Sequence, residues 1–296
     1  MRVAAALVAL TSTAHATYSI VATDRSTGEV GGAGTSCVGT LSVLIIYGSV
    51  PGTGAVHAQA SLGGPGKDAA VMQLAMDVAP ADIITSITNL QFDANAERRQ
   101  YGIVDLMGRS AGFTGSLTTA YTDDRQSQTG PFTVSVQGNI LTSGAVLDQA
   151  SAAFEAGGCD LADRLMLALE AGARNGEGDA RCTPNGIPSD SAFIEVDRTG
   201  ETAGSFLRLD VTDTSPQNPL VLLRAQFDTW RATHPCPSPV LPDAGATGDD
   251  GGIGGGDDQQ GGCCSGSRGV GSLPLAGLVA LLVLRRRRLC IARRAE

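Results

Sequence analysis

The sequence predicts an α+β layered sandwich, on three observations. Segments rich in β-formers and bounded by Gly/Pro turns come in hairpin pairs. Segments with helical spacing come in pairs of their own. The order runs strands, paired helices, strands, paired helices, strands, helix, so the helices cover sheets in groups and do not alternate with single strands. With 296 residues, 42% of them hydrophobic, the chain has ample material for a buried core.

Thr17–Asp24 alternates as TYSIVATD and reads as a strand, paired across the turn at Asp24–Gly28 with a Gly-rich strand over Glu29–Gly39. Strands are predicted over Ser42–Val50 and Gly54–Ala60, separated by Pro51-Gly52. Val71, Leu74, Ala75 and Val78 give Lys67–Val78 a helical period, and a second helix follows Pro80, a residue suited to a first turn. Gln100–Met107 and Arg109–Thr114 form a hairpin around Met107-Gly108, and Phe132–Gln137 is again strand-like. Two helices are predicted over Ser143–Ala156 and Leu161–Ala173, a last hairpin over Ser191–Asp197 and Gly204–Val211, and a last helix over Pro219–Thr233.

The two ends read as addresses. In residues 1–16, Arg2, the apolar run Val3–Leu10 and Ala14-His15-Ala16 compose a secretory signal peptide, whose removal makes Thr17 the first residue of an exported domain over 17–235. Residues 236–264 are a Pro-, then Gly- and Asp-rich linker ending in Cys263-Cys264. In 265–296 the apolar run Val270–Leu284 precedes Arg285-Arg286-Arg287-Arg288. As helix that run spans roughly 23 Å, against a bilayer core of about 30 Å, with the arginines on the cytoplasmic side. This tail resembles the myxobacterial type of C-terminal sorting signal. The resemblance implies a surface-anchored or processed product, with signal peptidase and sorting machinery as partners.

Net charge is −9 overall and −16 within residues 17–262, where 13 basic residues face 29 acidic ones. Such a surface repels phosphate backbones and argues against nucleic-acid binding. Gly31–Gly34 and Gly63–Gly66 are set aside as nucleotide sites, for want of a strand–loop–helix phosphate pattern with Lys-Ser/Thr. No His/Cys spacing suggests a metal, and no cluster demands a cofactor. Four cysteines, Cys37, Cys159, Cys182 and Cys236 at the domain's end, allow three pairings. Cys159 and Cys182, which bracket a helical segment, are taken as the first pair.

A mature chain beginning at Thr17 has a hydroxyl and an α-amine on one residue. The amine, with a reference pKa of about 7.7–8, can take the hydroxyl proton and make the oxygen a nucleophile. Inside a peptide bond that nitrogen is not basic, so leader cleavage becomes the activating event. The bland alternative is a small residue that merely follows a cleavage site.

The segments TYSIVATD, GSVPGTGAVHAQA, RQYGIVDLMGRSAGFTG, SVQGNILTS and GDARCTPNGIPSDSAF, in this order, resemble the DUF1028 family. The resemblance implies a four-layer αββα sandwich like that of N-terminal-nucleophile hydrolases, acting on a small amide or peptide. By the same resemblance Thr17 is the nucleophile, Ser36 lies beside it on the second strand, and Asn139 donates its amide to the oxyanion or else forms a turn. The family pattern places a His after that Ser; here Cys37 stands there, and any role for that His is absent. Asp179 and Arg181 bind substrate in the cleft or form a structural pair, and Ser191 lines the same cleft. His57 binds substrate or is a core histidine, and Gln59, also a candidate for substrate binding, lies on the same strand and is placed on the opposite face. The alternative to a hydrolase is a non-catalytic cell-surface binding module on this fold. Self-association through exposed strand edges is expected for either.

Overall fold

The computed structural model describes residues 17–201 and 204–236. The leader, the linker beyond residue 236 and the tail with its arginines lie outside the described residues. Among the described residues no helix is long and apolar enough to cross a membrane.

Two antiparallel sheets stack face to face. The larger joins β10 (Leu207–Val211), β9 (Ser191–Asp197), β2 (Glu29–Ser36), β1 (Thr17–Asp24), β8 (Phe132–Asn139) and β7 (Asp123–Thr129) in that order. The smaller joins β3 (Tyr47–Val50), β4 (Gly54–Ala60), β5 (Arg99–Asp105) and β6 (Ser110–Thr114). Helices α3 (Ala145–Ala156), α4 (Leu161–Gly172) and α5 (Pro219–Thr233) cover the outer face of the larger sheet, and α1 (Gly66–Leu74) and α2 (Pro80–Ile87) that of the smaller. The described residues therefore form a four-layer α+β sandwich.

Period-two patterning explains how the central strands are shared between layers. Tyr18, Ile20 and Ala22 of β1, and Phe132, Val134 and Val136 of β8, point outward into the large core under α3 and α4. The intervening Ser19 and Ser135, with Gln137, turn to the space between the sheets and hydrogen-bond there. That space is divided: apolar side chains such as Val30, Ile46, Tyr47 and Phe193 fill part of it, while amides and hydroxyls pack beneath β1 and β8.

Several expectations are corrected. Only Tyr47–Val50 of the predicted strand Ser42–Val50 is extended; Val43–Ile46 forms a 3-10 turn, because Ser42 Oγ accepts the Leu44 N–H and Val43 and Ile46 are buried. The helix predicted over Lys67–Val78 stops at Leu74, where Asp77 adopts φ +58° and the Val78 N–H returns to the Gln73 carbonyl. Strand β7 went unseen, because DDRQSQT has no apolar alternation and forms a sheet edge.

Cys159 and Cys182 do not pair with each other. Cys37 bonds Cys182, and Cys159 bonds Cys236. Cys159 stands before α4 and Cys182 well beyond its far end, and a 12-residue helix is about 18 Å long, far more than the roughly 4.4–6.8 Å Cα separation of a disulfide.

Candidate functional site

Register brings four of the predicted residues into one row. Ser191 on β9 lies opposite Ser36 on β2, Ser36 opposite Thr17 on β1, and Thr17 opposite Asn139 on β8. Directly opposed residues share a face, so all four side chains point between the sheets, and all are buried. Thr17, 1% exposed, donates its hydroxyl to Ser36 Oγ at 3.2 Å.

Beneath the row, amides from both sheets interlock. Gln59 Nε2 donates to the Thr17 carbonyl at 3.3 Å and to Gln100 Oε1 at 2.9 Å, and Asn139 Nδ2 also donates to Gln100 Oε1, at 3.3 Å. Gln100 in turn donates to the Gly138 carbonyl at 2.9 Å. Ser19 Oγ donates to Gln59 Oε1 at 2.7 Å and accepts from Gln137 Nε2 at 2.7 Å. Asn139 Oδ1 is buried without a hydrogen-bond partner, an uncommon state for a buried polar atom. The seam depends on close approach: a Cβ at Gly102 would stand 2.1 Å from Gln137 Oε1.

Gln59 does not face away from His57. Residues two apart on a strand share a face, and both reach into this seam. His57 is 0% exposed, flanked edge-on by Tyr47 and Phe193, with Nδ1 3.3 Å from Gln137 Nε2 and Nε2 unpartnered. Burial, with Lys67 adding to it, drops its pKa to about 3. It is a buried histidine, neutral at ordinary pH.

Asp179 and Arg181 arrive at the same end through a bridge between Leu141 and Asp179. Arg181 donates to the buried carboxylate from Nε at 3.1 Å and from its terminal nitrogen at 2.9 Å, and the Cys37 N–H donates at 2.7 Å. Burial pushes the Asp179 carboxyl above the usual range while Arg181 pulls it down. Asp190 holds the Val38 and Gly39 N–H groups. Two carboxylates and the Cys37–Cys182 bond thus clamp the chain that leaves β2 just after Ser36. Ser191 Oγ accepts the Val43 N–H at 3.1 Å, which anchors the 3-10 turn. Cys37, Cys182 and Asp190 lie close enough to hold a metal ion, but both sulfurs are bonded to each other and cannot serve as thiolate ligands.

Sequence reasoning did not single out Gln100. Its only signal is a fully buried amide in the strand RQYGIVD, which needs partners from another sheet. Gly63–Gly66 does join a strand, β4, to a helix, α1. What departs from a phosphate loop is Asp68 in place of Ser/Thr after Lys67.

The fold and this seam define an α+β sandwich protein with a hydroxyl–amide row across its central strands. The family model DUF1028, described as a family of unknown function, matches residues 17–222, and the chain belongs to that family. The crystal structure of a DUF1028 protein from Silicibacter pomeroyi is similar, with a TM-score of 0.60 and 24% identity, covering 73% of this chain and 89% of that one; it shares the fold. No curated protein matches.

Proposed function

We propose that the protein is an exported, surface-anchored amidohydrolase of the N-terminal-nucleophile type, with Thr17 as nucleophile once residues 1–16 are removed. The observation that supports this most is the placement of Thr17 Oγ1 at 3.2 Å from Ser36 Oγ and directly across from Asn139, at the first position of a central strand. In the unprocessed chain the Thr17 nitrogen is an amide; after cleavage it is an amine able to accept the hydroxyl proton. The oxygen then adds to an amide carbonyl, the amine leaving group takes up the proton, and water hydrolyses the resulting ester. Asn139 carries one further N–H for the oxyanion besides that given to Gln100, a type of contact worth roughly 3–4 kcal/mol.

A second reading, a binding module without turnover, is favoured by the 1% exposure of Thr17 and by the hydrogen bonds that Gln59, Gln100 and Asn139 make to one another under it. Mass spectrometry of the first peptide of the exported protein decides between them when joined to one variant. A chain starting at Thr17, with amide hydrolysis abolished in Thr17→Ala and retained in Thr17→Ser, supports the hydrolase. A different start, or equal turnover in Thr17→Ala, removes it.

A further inference from the structure

We propose that the cavity at the N-terminal end of α1 binds a small organic carboxylate. The cavity measures about 220 Å³, below the roughly 300–1,000 Å³ of sites for drug-sized ligands, so its occupant is small. Its wall is built from Ala58 and Gln59 of β4, the loop Ser61–Gly64 that follows, and the start of α1; Gln59 is already held by the Thr17 carbonyl and Gln100.

Three donor sources converge there. The first turn of a nine-residue helix opens at the cavity, and its N-cap Pro65 offers no side-chain hydrogen bond, leaving N–H groups and the positive end of the helix for an anion. Tyr101, 1% exposed, reaches the same space, and its hydroxyl makes no hydrogen bond among the described residues. A Cβ at Gly66 would lie 2.1 Å from that hydroxyl, so the glycine is what lets the phenol approach the helix start. Burial raises the phenol pKa to about 12, which keeps it a donor at neutral pH. Lys67 is the single lysine of the chain. Its Nζ donates to the Ile45 carbonyl at 2.7 Å and forms no ion pair among the described residues, which leaves two N–H groups and the charge.

The remaining polar lining sets the selectivity. Arg99 is already engaged by Asp93 at 2.8 Å and by the Ser61 and Leu62 carbonyls, so it shapes the loop and adds no open charge. Asp68 borders the cavity as well, and a ligand with two negative charges would repel it. The N–H groups of the helix start, the Tyr101 hydroxyl and one unpaired cation, with the Asp68 carboxylate nearby, suit a monoanion better than a phosphate.

Isothermal titration of the full-length chain with N-acetylglycine, N-acetylglycinamide and inorganic phosphate, at constant ionic strength, tests this. We expect N-acetylglycine to bind, with the uncharged amide at least tenfold weaker, and Lys67→Gln and Tyr101→Phe each to weaken it about tenfold, as for one charge-assisted hydrogen bond. Equal binding of the amide, tighter binding of phosphate, unaltered affinity in both wall variants, or no binding at all would each overturn the assignment.

Discussion

His57 makes acid stability a sharp test of the sandwich interior. Its ring is fully buried beside Tyr47 and Phe193, with one nitrogen facing an amide N–H and the other unpartnered. The folded chain therefore takes a proton on this ring only near pH 3, whereas the unfolded chain takes it near the reference value of about 6.5. Because the folded pKa is depressed, the unfolded state binds more protons between these values. Stability from this group is complete above about pH 6.5 and declines as pH falls toward 3. The slope is about 1.4 kcal/mol per pH unit, which gives a loss of about 3 kcal/mol at pH 4.5 and about 5 kcal/mol at the limit. The assay is chemical denaturation of wild type and His57→Gln at pH 7.0 and 4.5. Buried carboxylates such as Asp179 and Glu195, which burial shifts upward, titrate alike in both proteins and cancel in the double difference. Wild type should lose about 3 kcal/mol more than the variant on acidification. An equal pH response in the two would refute the buried, neutral histidine.

Two further expectations rest on the same structure. Replacing Cys37 and Cys182 together by serine opens a link of sequence separation 145 and should cost up to about 5 kcal/mol by the chain-entropy relation, against about 4.5 kcal/mol for Cys159 and Cys236 at separation 77; denaturant midpoints of the two double variants check the order. Gly102→Ala would drive a methyl into Gln137 Oε1 and Ser135 Oγ, and should lower stability by roughly 2 kcal/mol in the same assay; a neutral result would mean the seam is looser than its hydrogen bonds imply.

Local chemistry carried much of the fold. TYSIVATD alternates so regularly that one face must meet helices and the other a second layer, and α3, α4 and α5 follow from their own apolar periods. The hairpins β1–β2 and β5–β6 follow from short turns between β-rich segments. Asp123–Thr129 failed this test because an edge strand needs only backbone partners and no apolar face. Val43–Ile46 failed it because its shape comes from Ser191 and Ser42 holding backbone N–H groups, a contact 148 residues apart in one case.

The site divides in the same way. Thr17 was legible from its place after the leader, Ser36 and Asn139 only through the family resemblance, and the first hairpin alone brings Ser36 to Thr17. That Asn139 comes to Thr17 from the other side depends on β8 joining the sheet beside β1, 115 residues after the first hairpin begins to form, as the register Thr17↔Asn139 records. Asp179 and Arg181 were legible as a pair but not as the clamp on Cys37, which needs three distant segments at one sheet end. The sequence by itself determined which residues alternate, which faces are apolar and which chemistry a chain starting at Thr17 would have, since these depend on side-chain type and short-range geometry. Only the tertiary structure decided which cysteines bond, which amides interlock and that His57 is buried and neutral, because those depend on distances between residues that the chain brings together from far apart.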